Sequence, residues 1–167
     1  MTTELTERQS VRDVEPQRLD YGRTLPAATR AMRGLEEVVE ASTLEPKLRE
    51  LVKLRASQIN GCAFCVDMHT KDAIAIGEDS QRLNMVAVWR EAPGFTPRER
   101  AALAWTEALT LIAETHAPDD VYEGVRAHFS ESETVNLTML IGAINAWNRL
   151  AIAFRAVHPV KAKAAVA

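Results

Sequence analysis

Residues 57–73 read SQINGCAFCVDMHTKDA and hold both cysteines of the chain, Cys62 and Cys65, with His69 four positions after the second. Two thiols and an imidazole at this spacing can bind a metal, anchor a haem, form a structural disulfide or run a dithiol cycle. A haem site needs its histidine directly after the second cysteine, and Val66 stands there. Zinc accepts cysteine and histidine, but a closed structural site wants four ligands. No second CxxC and no HxxxH exists, and His116, His128 and His158 stand apart. No metal and no cofactor is therefore expected. A buried thiol pair beside a satisfied core histidine is the plain alternative.

The dithiol cycle fits best on geometry. At ~100° per residue, Cys62, Cys65 and His69 fall within roughly 60° of one helix face, and His69 meets Cys65 at i,i+4. Helical neighbours at i,i+3 keep their β-carbons ~5–6 Å apart, whereas a relaxed disulfide wants ~3.5–4.5 Å. Closing the pair needs adjustment at the first turn, just after Asn60-Gly61, and the bond should be reducible. Free N–H groups there favour a thiolate. A fall of about two units from ~8.5 raises the thiolate fraction roughly 25-fold, while nucleophilicity drops ~6- to 10-fold. The net gain is small. A general acid that protonates a leaving oxygen supplies ~10²–10⁴, and His69 is placed for it. The histidine, more than the dithiol, points to peroxide chemistry.

The elements that must position these groups read as helices. The face Ala28, Met32, Leu35 and Val39 follows Pro26. Leu48, Leu51, Val52, Arg55 and Ile59 form the next, stopped at Asn60-Gly61. The cysteine helix runs from roughly 61 to 76 and closes at Gly77. Asp79-Ser80 caps a short helix with Leu83, Val86 and Ala87. Thr96, Pro97 and Glu99 make a capping box for a helix that ends at HAPDD. Helices near 119 to 128 and 132 to 156 complete an all-α single domain of about six to seven helices over residues 1–167. Its core spans 44–156, between a polar N-terminal arm and a short tail. The first dozen residues and VKAKAAVA are candidates for disorder. Trp89, Trp105 and Trp147 sit at apolar positions suited to a core or interface.

Composition excludes several classes. Hydrophobic residues make up 47%, charged residues 26%, and the net charge is −3. No basic block recommends a nucleic acid or an anionic membrane. The polar N-terminus is no secretory signal. Asn145, Asn148 and Arg149 interrupt the most apolar stretch, which argues for a buried helix over a membrane span. They line a pocket, knit an interface or form a solvent strip. A cytoplasmic location is expected. The apolar surplus in 132–156 suggests burial against a second copy.

The pattern Glu50, then E-x(11)-C-x-x-C-x-x-x-H, with RERAALAWTEALT and INAWNRLAIAF later, resembles the alkylhydroperoxidase AhpD-like branch of the carboxymuconolactone decarboxylase superfamily. The resemblance covers most of 44–156. It implies an all-helical fold, a homo-oligomer (commonly a trimer or hexamer) and a thiol-dependent peroxidase of antioxidant defence. By the resemblance Cys65 attacks the peroxide, Cys62 resolves it, and His69 with Glu50 relays the proton. From the residues alone Glu50 reads as a solvated carboxylate. The implied partners are a peroxide and a dithiol donor, lipoyl-bearing or thioredoxin-like. Relatives can carry a histidine between the cysteines, where this chain has Phe64. A second enzymatic reading is a thiol-independent lactone decarboxylase using Arg55 and Arg149, although Arg55 equally suits a partnership with Glu50. A third is a non-enzymatic redox- or zinc-responsive oligomer.

Overall fold

A computed structural model describes residues 16–157. His158 and both segments proposed as disordered lie outside them. Among the described residues there are nine α-helices, one 3₁₀ turn and no strand. The six longer helices match the six to seven expected, and three single-turn pieces make up the surplus. No described helix is long and apolar enough to cross a membrane.

The chain runs α1 (Tyr21–Thr24), α2 (Pro26–Glu40), α3 (Pro46–Asn60), α4 (Ala63–Ala75) and α5 (Ser80–Met85). A 3₁₀ turn (Val86–Val88) precedes α6 (Pro97–Thr110), α7 (Ile112–Thr115), α8 (Asp119–Arg126) and α9 (Glu131–Ala153). Local chemistry sets most boundaries. Thr96 and Glu99 close a reciprocal capping box before α6, and Ser130 with Glu133 does the same for α9. Asp79 accepts the Arg82 N–H to start α5. Gly61 ends α3 in the left-handed region at φ 70°, which an L side chain adopts only under strain.

α3 is the central helix and packs against α4, α6 and α9. One core gathers Leu48 and Val52 of α3 with Trp105, Val125, Leu137 and Ile141. A second joins Leu51 and Leu54, from the other side of α3, to Leu83, Val86, Trp89 and Leu103. Burial on two sides leaves α3 one stripe that is neither, formed by Glu50, Lys53, Ser57 and Asn60.

Three expectations are corrected. α4 begins at Ala63, because Cys62 has extended backbone (φ −84°, ψ 95°) and serves as N-cap. Arg55 does not pair with Glu50: its Nε and Nη2 lie 2.9 and 2.8 Å from Glu107 Oε1, which also accepts Trp89 Nε1–H at 2.8 Å. Asn145 and Asn148 form no solvent strip: both are buried and bond within the chain.

Candidate active site

The site starts at the turn between α3 and α4. Asn60 Nδ2 lies 2.9 Å from the side-chain oxygens of both Asn145 and Asn148, and Asn148 donates to Ser57 Oγ at 3.1 Å. Asn145 donates to Thr110 Oγ1 at 3.1 Å, and Arg149 Nη1 donates to the Asn145 carbonyl. These bonds offset the cost of burying amides in the longest helix and pin the residue just before Gly61. The cysteine turn is thereby tied to α9.

Cys62 and Cys65 form a disulfide, with Cα atoms 5.4 Å apart. Because Cys62 lies outside the helix, its sulfur turns back and accepts the Cys65 N–H at 3.3 Å. Of the N–H groups expected to favour a thiolate, that of Cys65 therefore faces Cys62. Cys65 faces elsewhere. It lines a cavity of about 280 Å³, and Cys62 does not.

His69 shares that cavity with Cys65 and is 4% exposed. Its Nδ1 lies 2.9 Å from Glu50 Oε2 on α3. A carboxylate only accepts, so Nδ1 carries the hydrogen and Nε2 presents a lone pair when the ring is neutral. Nε2 is buried and has no hydrogen-bond partner among the described residues. The other Glu50 oxygen takes the Lys53 ammonium at 3.0 Å. Burial pushes the Glu50 carboxyl up, but the His69 hydrogen bond and the Lys53 charge outweigh it and hold it below the ordinary range.

The remaining cavity wall comes from Tyr21, Thr29, Arg33 and Glu36 of α1 and α2, and from Phe64, Met68, Ile144 and Trp147. The tyrosine ring lies 6.4 Å from Trp147 and 5.8 Å from Phe154, and Arg18 bonds the carbonyls of Ala153 and Phe154. The N-terminal segment is thus strapped to the end of α9 across the cavity. Burial raises the Glu36 carboxyl against the opposing charge of Lys53.

The structure brings together Cys62, Cys65, His69 and Glu50. Glu50 is no solvated carboxylate. The sequence signal for it was the polar stripe on a helix otherwise buried, since such a stripe must find internal partners. Arg33, Glu36 and Tyr21 were missed, because nothing local says that α1 and α2 supply a wall of the cavity that Cys65 and His69 line. Trp147 was expected in a core or interface and instead walls the cavity. Neither Arg55 nor Arg149 lines it. Glu50, His69 and Asp72 place potential ligand atoms within 4.8 Å of one another. Asp72 is exposed and both Glu50 oxygens are engaged, while the disulfide removes both sulfurs as ligands in this state.

Fold and site together define an all-helical protein with a dithiol at a helix N-terminus, backed by a carboxylate–imidazole pair. Residues 26–108 match the carboxymuconolactone decarboxylase family, and the chain belongs to it. The uncharacterized protein YdfG of Bacillus subtilis is 42% identical over 137 residues, which cover 82% of this chain and 93% of that one. The fold is AhpD-like. An Agrobacterium tumefaciens protein of unknown function, described as a candidate antioxidant defence protein AhpD, matches with a TM-score of 0.85 at 52% identity, over 87% of this chain and 100% of that one. The alkylhydroperoxidase AhpD core of a peroxidase-related protein from Ralstonia eutropha JMP134 gives 0.74 at 19% identity, over 93% and 83%. At that identity the likeness speaks for the fold alone.

Proposed function

We propose that the protein is a thiol peroxidase that reduces organic hydroperoxides. In the reduced form the Cys65 thiol gives its proton to His69 Nε2, the resulting thiolate attacks the outer peroxide oxygen, the O–O bond breaks, and the departing alkoxide takes that proton back from Nε2. Cys65 is left as a sulfenic acid. The Cys62 sulfur then displaces its oxygen as water and forms the disulfide. A dithiol donor returns two electrons and two protons, and becomes a disulfide itself.

One observation carries this reading. An imidazole oriented by Glu50 keeps its second nitrogen buried and unpartnered among the described residues, and the residue lines the same cavity as Cys65. Proton delivery is the step the thiols cannot perform alone. The cavity supports the substrate class, because about 280 Å³ with Phe64, Met68, Ile144 and Trp147 in its wall exceeds what hydrogen peroxide fills.

The donor is a small dithiol or a lipoyl-bearing or thioredoxin-like protein, and the working form is a homo-oligomer, a trimer or hexamer. Val135 and Met139 on α9 are 60% and 43% exposed, one turn apart, and α9 packs on α2, whose Val38 is 65% exposed. A second copy would cover such residues.

The test is consumption of cumene hydroperoxide with dihydrolipoamide, comparing wild type with His69→Ala. A loss of about 10²-fold is expected. Equal rates would remove the relay.

A further inference from the structure

Lys53 belongs to the same polar stripe as Glu50 and has had no part in the chemistry so far. It is 8% exposed, and lysine is seldom buried at this level unless it is paired. Its Nζ bonds Glu50 Oε1, so one carboxylate is shared between an ammonium on one oxygen and an imidazole on the other. It shares a small cavity wall with Val39, Leu140 and Ala143 and with Glu36, Glu40 and Arg49, and against the apolar three an aliphatic side chain would pack without desolvating a charge. Packing alone does not account for a lysine there.

We infer that Lys53 is a positioning residue of the proton relay: it fixes Glu50 as the acceptor of the His69 Nδ1–H and offsets the carboxylate charge, so that Nε2 can both take and return a proton. The catalytic consequence rests on the peroxidase reading, whereas the electrostatic effect does not. A buried carboxylate facing only an imidazole would draw a second proton onto the ring and hold it there. An imidazolium held that way gives up its proton poorly and cannot act as a base in the next cycle. A cation on the far oxygen weakens that hold while keeping the orienting hydrogen bond.

The other charged groups around the ring do not take this role. From α2, Glu36 and Arg33 line the same cavity, and Glu36 is the carboxyl that burial pushes towards its neutral form. From α1 comes Tyr21, and on α4 itself stand Cys65 and the exposed Asp72. The cavity residues from α9 are Ile144, Trp147 and Ala151, none of which titrates. Lys53 alone among these touches the carboxylate that orients His69.

The experiment follows the His69 ring nitrogens by ¹⁵N NMR during a pH titration of the reduced full-length protein, with the signal assigned by its loss in His69→Asn. Replacing Lys53 by Met should raise the pH at which the ring becomes imidazolium by about one pH unit. Lys53→Arg, which keeps the charge, should titrate as wild type does. Should Lys53→Met fail to fold, Lys53→Gln against Lys53→Arg makes the same comparison. A midpoint in the neutral variant that coincides with wild type overturns the inference. A shifted midpoint in a protein that consumes no peroxide supports the role of Lys53 and refutes the peroxidase reading, so the two fail separately.

Discussion

Glu50 and His69 stand on different helices, nineteen positions apart in the chain, and meet through a 2.9 Å hydrogen bond from Nδ1 to Oε2. That bond fixes the ring and leaves Nε2 without a partner among the described residues. Replacing Glu50 by Gln keeps an acceptor but removes its charge, and the amide can also rotate to present a donor. Peroxide turnover should fall about 10- to 100-fold, with helix content by circular dichroism unchanged. Turnover equal to wild type would mean that the carboxylate has no part in the relay.

The cavity makes a prediction about substrate size. Met68 lines it from the exposed side of α4, so Met68→Trp should narrow it without disturbing the core. The kcat/KM for cumene hydroperoxide should drop about 10-fold, in line with ~1–3 kcal/mol for an ill-fitting group in an apolar pocket. Hydrogen peroxide should be affected about 2-fold or less. Parallel losses for both substrates would place the organic group outside this cavity.

Asn148 is fully buried and joins Asn60 and Ser57 across α3 and α9. Asn148→Ala leaves those partners short of a bond at a buried site and should cost about 2–3 kcal/mol in denaturant unfolding. Because Asn60 precedes the cysteine turn, the variant should also form its Cys62–Cys65 disulfide more slowly, read by thiol counting after oxidation. A loss below about 0.5 kcal/mol would contradict the network's role.

Acid should destabilise the fold through Glu107. Burial raises its carboxyl, but hydrogen bonds from Trp89, Arg90 and Arg55 outweigh this and leave it below the ordinary value. A carboxyl depressed in the folded state stabilises above its unfolded pKa, ~4.3, and that stabilisation is lost as pH falls through the folded pKa. Glu107→Gln should lower Tm by about 3 °C at pH 7 and flatten the decline of Tm below about pH 4.5. The same acid decline in variant and wild type would show that other carboxyls dominate.

Most helix ends could be read from the sequence, because caps are local. Thr96 with Glu99, Asp79 and Gly61 each act within four residues of the boundary they set. The start of α4 was misread for a related reason: the i,i+3 cysteines imitate helical spacing, whereas the structure places Cys62 at the cap. The contacts of Asn145 and Asn148 with Asn60 span more than eighty residues, and no periodicity reports such a pairing. The cysteines and His69 announce themselves by type and spacing. Glu50 looked like a surface carboxylate because its helix faces had not yet been assigned to two cores.

The most direct measurement is stoichiometric trapping of the sulfenic acid. Reduced Cys62→Ser protein is treated with one equivalent of cumene hydroperoxide and dimedone, then mapped by mass spectrometry. One adduct is expected, on Cys65, and none in Cys65→Ser protein treated in the same way. No adduct in the first variant, with the hydroperoxide left intact, would contradict the peroxidase account.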